Sequence, residues 1–173
     1  MPTRQYLCST KNSYGFTLIE LISVISLIGV TAAISAPSLL GFLARSKVNS
    51  GLAELRSMLQ LTQRNAMRRS RSCAMLLPDN EIENGVLTSS CSITGSAVLD
   101  GIWIKYNRAN SKKVNFSYRG HTNSTRTIVL YSNSTKHKRC VVISNGIGMM
   151  RSGVYTRNDL TSISATYCQT TRS

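Results

Sequence analysis

Glu20 is the residue whose setting most constrains the chemistry, because it is the one charge in residues 16–36, which read FTLIELISVISLIGVTAAISA. A carboxylate inside such a run is costly and marks a functional position that needs a cationic partner. Five cysteines, at 8, 73, 91, 140 and 168, are the other reactive side chains, and none belongs to a Cys-x-x-Cys redox pair. His121 and His137 are the only histidines, and no His/Cys run has metal-ligand spacing. That leaves little for a catalytic metal centre or a His-based triad. Asn145-Gly146-Ile147-Gly148 lacks the third glycine and the βαβ setting of a dinucleotide site and reads as a turn. No catalytic residue, metal or cofactor is assigned, and the chain reads as a non-enzyme.

The elements that position these residues begin with the apolar run. Its 21 residues reach roughly 31 Å as a helix, about the thickness of a bilayer's hydrocarbon core. Apolar character continues past Pro37 through Leu39, Leu40, Phe42 and Leu43, so a membrane-spanning helix is expected over residues 16–44. The alternative is a secretory signal peptide with Arg4 and Lys11 as its charged start and cleavage near Ala33 or Ala36. Against it, the run exceeds the usual 7–15 residue apolar region of about that class, carries a carboxylate near its start and flows on without a turn cluster. Counting Arg45, Lys47 and Arg56 after the run against Arg4 and Lys11 before it would keep the carboxy-terminal side in the cytoplasm.

Between residues 45 and 72, Leu52, Leu55, Met58, Leu59, Leu61, Ala66 and Met67 recur at three- and four-residue spacings, the mark of an amphipathic helix. One helix over residues 16–72 would be about 86 Å long, with Gly41 and Gly51 as places where it softens. Beyond Met75, short β-branched and aromatic runs at 101–106, 113–118, 127–131 and 139–144 read as antiparallel strands. Trp103 and Phe116 are expected in the core, and Val114, Phe116 and Tyr118 on the packed face of a sheet whose other face is wet. Residues 78–95 read as a loop or short hairpin, and both histidines as loop residues. The fold class is therefore α+β, a long amino-terminal helix packed on a carboxy-terminal antiparallel sheet in residues 73–173.

Charged residues make up 16% and hydrophobic residues 42%, which excludes a disordered tail. The 21 Lys and Arg against 7 Asp and Glu give +14. Arg64, Arg68 and Arg71 fall at helical spacings on one face, and later come Lys112, Lys113, Arg119, Arg126, the run Lys136-His137-Lys138-Arg139, Arg151 and Arg157. Gathered on one surface they would neutralise the phosphates of a polyanion such as DNA; dispersed, they are a solvated basic face or one that meets acidic subunits or anionic lipid.

The stretch from Lys11 through Tyr14-Gly15-Phe16-Thr17-Leu18-Ile19-Glu20 resembles the cleavage site of type IV prepilins and type II secretion pseudopilins: a short basic leader, Gly, Phe, then Thr-Leu-Ile-Glu opening an apolar helix. The resemblance implies that a membrane-embedded prepilin peptidase cuts between Gly15 and Phe16 and methylates the new amino terminus. It gives Glu20 an ion pair with the amino terminus of a neighbouring filament subunit, and it places Pro37 where many relatives kink the helix. The leader is then residues 1–15, which must meet a cytoplasm-facing peptidase; this and the cysteines override the positive-charge count, and the remainder is exported from the inner membrane to a pilus or pseudopilus.

Two further stretches resemble the GspH/FimT type of minor pilins and pseudopilins. Arg64, Ala66 and Arg68 match that group's helix end, and Ser144, Gly148 and Arg151 its last strand and Gly-x-x-Arg turn. Several members bind DNA through a Gly-Arg-x-Arg version of the turn; here Met149 stands at the first Arg. Arg151, Arg157, Lys136, Lys138 and Arg139 are accordingly the candidate DNA-binding residues. Leader removal takes Cys8, Arg4 and Lys11 with it, leaving 19 basic against 7 acidic residues and four cysteines. Four cysteines in an exported domain imply two disulfides. Of the three pairings, Cys73 with Cys91 and Cys140 with Cys168 closes the smallest loops and is preferred.

Overall fold

The computed structural model describes residues 15–91, 95–108 and 111–170, with the side chains of residues 34–37 excepted. The leader up to Tyr14, and the helix-kinking role expected of Pro37, lie outside the described residues. The chain divides into two compact units, Met1–Leu39 and Leu40–Ser173. Helix α1, Leu18–Arg68, contributes to both.

In the first unit α1 begins at a local signal. The Thr17 carbonyl accepts from the amides of Glu20 and Leu21, both at 3.1 Å, and the Thr17 Oγ1 accepts from the Glu20 amide at 3.4 Å. Thr17 is thus the cap, and Thr17-x-x-Glu20 has capping-box spacing. The hydroxyls that interrupt the apolar run donate to carbonyls one turn back: Ser23 to Glu20, Ser26 to Ile22 and Thr31 to Leu27 and Ile28. The helix can therefore present these positions to an apolar medium without unpaired donors. Taken singly, no described helix is long and apolar enough to cross a membrane; Leu18–Ala33 and Ser38–Arg68 meet that measure together.

In the second unit α1 buries Ala44, Val48, Gly51, Leu55, Met58, Leu59, Thr62 and Ala66, at helical spacings. This stripe differs from the expected one. Leu61 and Met67 are 37% and 44% exposed, and the stripe admits Thr62 because its hydroxyl donates to the Met58 carbonyl and hydrogen-bonds with the Ser89 hydroxyl. Gly51 is a contact residue rather than a soft point: a β-carbon there would lie 2.2 Å from the Ile102 Cδ1. The helix ends at Arg68, earlier than expected, so Arg71 does not share its face with Arg64 and Arg68. Ser70 at φ 49° turns the chain, its amide donating to the Met67 carbonyl and the Arg71 amide to that of Ala66, a Schellman closure with serine in the glycine position.

The strands are β1 (Cys73–Leu76), β2 (Ile82–Glu83), β3 (Val86–Ser89), β4 (Ser96–Val98), β5 (Trp103–Tyr106), β6 (Lys113–Phe116), β7 (Arg126–Ser132), β8 (Thr135–Ile143), β9 (Met150–Tyr155) and β10 (Cys168–Gln169). They form two sheets, β4-β3-β1-β6 and β10-β9-β8-β7-β5-β2, antiparallel throughout. The segment expected as a loop or short hairpin supplies β2 and β3, which pair into different sheets rather than with each other, and Cys73–Cys91 ties β3's end to β1. Both sheets and α1 share one apolar core that includes Leu55, Leu59, Met75, Leu87, Ile104, Phe116, Ile128 and Val141.

Trp103 is not in that core. It is half-buried and stacks on Tyr131, with centroids 6.4 Å apart, because Ile102, Ile104 and Tyr106 take the inward positions. Tyr118 is 51% exposed because β6 ends at Phe116 and the chain turns. His137 lies in β8, not in a loop. The six-stranded sheet is also buried on its second face, where Val129, Cys140, Val142 and Tyr155 are covered by Leu160, Ile163, Ala165 and Cys168. Residues 156–168 form this strap, and Cys140–Cys168 fastens it. Each disulfide contributes about 3 kcal/mol by loop closure in the unfolded chain.

Ser70→Gly relieves a left-handed conformation that serine adopts at a cost, offset in part by the greater freedom of glycine when unfolded. The expected gain is about 0.5 kcal/mol, read as a raised denaturant midpoint with unchanged slope. A lowered midpoint would contradict the closure described.

Candidate functional site

The amino-terminal end of α1 combines a cap, a carboxylate and an apolar surface. Gly15 and Phe16 precede the cap, and Phe16 is 76% exposed. Glu20 sits in the first turn, exposed, where a carboxylate is favoured by the helix dipole. Among the described residues it makes no ion pair. Around it Leu18, Ile19, Leu21, Ile22, Val24 and Ile25 are each at least 44% exposed. The arrangement can bind an apolar surface that carries a cation level with Glu20. Thr17, quoted in the sequence only as part of the motif, is the residue that caps the helix; its spacing to Glu20 was the available signal.

The five candidate DNA-binding residues are divided by the strand pleat. Lys136, Lys138 and Arg151 belong to the strap face of the sheet, with Cys140 and Val142, whereas Arg139 turns to α1 and donates from Nε to the Asn49 Oδ1 at 2.7 Å. On the strap face the cations fasten the chain to itself. Lys138 Nζ donates to the carbonyls of Arg157 at 3.1 Å and Asn158 at 2.6 Å, and burial holds its pKa below that of a free lysine, opposed by Asp159. Arg151 donates to the Ala165 carbonyl at 3.1 Å. Arg157 meets Asp159 at 3.3 Å and lies over the Tyr167 ring. Lys136 is exposed. Strand alternation was the signal that would have separated Arg139 from its neighbours.

The Gly148-Met149-Met150-Arg151 turn has a definite geometric need for glycine. Gly148 has φ 69°, and a β-carbon there would lie 2.8 Å from the Gln63 Nε2 and 2.9 Å from the Gly120 carbonyl oxygen. Gln63 donates to the carbonyls of Gly120 and Ile147 at 2.9 and 3.2 Å, so α1 holds this turn beside the 117–120 turn. Met149 is 63% exposed.

Burial, then Arg139, then Arg45 hold the His137 pKa below its ordinary 6.5. The unfolded chain therefore takes up this proton first, and the stability contributed is complete above pH 6.5 and lost as pH falls through the folded value. The thermal midpoint of the protein is expected to fall between about pH 7.5 and about pH 5.5, and His137→Gln to flatten that slope. Equal slopes for the two proteins would contradict the assignment.

Comparison with known proteins bears on both ends of the molecule. Residues 10–36 match the prokaryotic N-terminal methylation motif. Over 95 residues, 53% of this chain, the sequence is 32% identical to the type IV major fimbrial protein FimA of Dichelobacter nodosus. The match spans 61% of that curated relative's length. The crystal structure of the type IV minor pilin FimU of Pseudomonas aeruginosa superposes with a TM-score of 0.50 at 20% identity, covering 60% of this chain and 90% of that one. A second crystal form of FimU gives 0.49 at 21% identity, with 64% and 90% covered. At that identity the likeness to FimU is one of fold. The chain is thus type IV pilin-like in its amino-terminal motif and carries a pilin fold, a combination found in structural subunits and not in enzymes.

Proposed function

We propose that this chain is a minor pilin or pseudopilin of the GspH/FimT type, a subunit of a type IV pilus or the related type II secretion filament. The observation that carries the reading is the exposed apolar helix that opens Gly15-Phe16-Thr17-Leu18-Ile19-Glu20, inside the methylation motif. Prepilin peptidase removes residues 1–15, residues 16–44 hold the chain in the inner membrane and then pack in the filament, and residues 45–72 carry the exported domain, 73–173. Packing of the apolar helix drives association. Glu20 sets register by pairing with the amino terminus of a neighbouring subunit, since a lone charge in that core is costly. Likeness in fold to a minor pilin and in sequence to a major fimbrial protein supports the filament over a purely secreted role.

The alternative, a DNA-binding minor pilin acting in DNA uptake, has less support because Lys138, Arg139 and Arg157 hold other parts of the chain. It retains Lys136 and the remaining donors of Arg151. A gel shift with duplex DNA at low salt tests it, and no shift there ends it.

Gly15→Asp is expected to leave the protein at precursor size, and a mature-sized product would refute the cleavage assignment. Glu20→Ala is expected to be processed normally yet to fall at least about tenfold in sheared filaments, because the partner's ammonium loses its counter-charge. Wild-type incorporation of that variant would refute the pairing.

A further inference from the structure

The end of the exported domain at the carboxy terminus of α1 carries a surface that none of the functions above uses. Gln63 and Met67 hold the 117–120 and 144–149 turns side by side, a β-carbon on Gly120 lying 3.0 Å from the Met67 Sδ. From this pole project Met67, Tyr118, Ile147 and Met149, which are 44%, 51%, 63% and 63% exposed. Arg64 and Arg68 lie in the last turns of α1, Arg69 and Arg71 just past its end and Arg119 on the 117–120 turn, all exposed, and Arg119 lies over the Tyr118 ring at 5.2 Å. None of the five forms an ion pair among the described residues. Helix-dipole stabilisation accounts for cations at the end of α1 but not for Arg119, which is on a turn.

The composition is that of a protein interface core with its rim. Methionine, tyrosine and arginine are enriched at such surfaces, and these three types supply all but Ile147 of the side chains named. Phosphate neutralisation would account for the cations but not for two aliphatic side chains displayed at 63% exposure on one turn. The partner must be acidic. A second copy of this chain does not qualify, because residues 40–173 carry 19 basic against 6 acidic residues. Asp79, Glu81, Asp100 and Asp159 are already paired with Lys112, Lys105, Lys47 and Arg157, leaving Glu54 and Glu83.

We infer that this arginine-rimmed apolar pole docks a different filament subunit through a surface of that subunit bearing carboxylates around an apolar centre. The inference rests on the filament reading above. Its test uses the full-length chain in cells that assemble the filament. Arg119→Glu places a like charge against the partner's carboxylates, a juxtaposition that costs several kcal/mol, so its level in sheared filaments should fall about tenfold or more. Lys113→Glu, the same reversal at an exposed residue at the start of β6, should stay within about twofold; exposed surface changes of either kind barely alter stability. A photo-crosslinking amino acid at position 149 should capture a processed prepilin-type chain other than this one, through a peptide containing Asp or Glu. Equal incorporation of the two variants would overturn the proposal, as would capture of nucleic acid, a second copy, or a peptide without carboxylates. Absence of the wild-type chain from filaments would overturn the filament reading itself.

Discussion

An apolar helical surface that stands exposed among the described residues is the constraint on which the rest of the molecule depends. Leu18, Ile19, Leu27 and Ile28 are each at least 60% exposed, and their serine and threonine neighbours have turned their hydroxyls back to the helix carbonyls. Such a surface is stable only against lipid or against other apolar helices. A carboxylate four residues beyond Phe16 then becomes informative, because the same surroundings that stabilise the leucines and isoleucines penalise an unpaired charge. In the proposed filament, attraction without direction comes from the apolar area and register from the one charge, Glu20.

The second unit solves a different problem, holding a small sheet domain together with two disulfides as well as an apolar core. Its core joins α1 to both sheets, and the six-stranded sheet is sealed behind by residues 156–168. Cys140–Cys168, Lys138 and Arg151 fasten that strap, so cations that read as surface charge in the sequence are structural here. At the end of α1, by contrast, Arg64, Arg68, Arg69 and Arg71 are exposed and form no ion pair among the described residues.

Legibility followed locality. Helix, apolar run and motif were readable because they are contiguous, and Phe16 and Glu20 mean something at a fixed spacing. The strand runs were readable for the same reason, as β-branched residues alternate with polar ones. The disulfides found are the smallest-loop pairing, since each closes neighbouring chain: β1 with the end of β3, and β8 with β10. What was not readable depends on partners distant in sequence. Trp103 looked like core by its size, but its strand neighbours faced inward instead. Thr62 and Gly51 look unsuited to a buried helix face until Ser89 and Ile102 are placed against them. The strap depends on such partners too, because its few apolar residues, Leu160, Ile163 and Ala165, matter only when laid on the second face of the sheet.

The filament account turns on the state of the amino terminus, and intact mass spectrometry of the protein recovered from native membranes, with and without reduction, reads it directly. The account predicts a mass matching a chain that starts at Phe16 with one added methyl group, and a gain of about four hydrogens on reduction, two for each of the disulfides Cys73–Cys91 and Cys140–Cys168. A chain beginning after Ala33 or Ala36 would contradict it, since the apolar helix and Glu20 would then have been removed before any filament could use them.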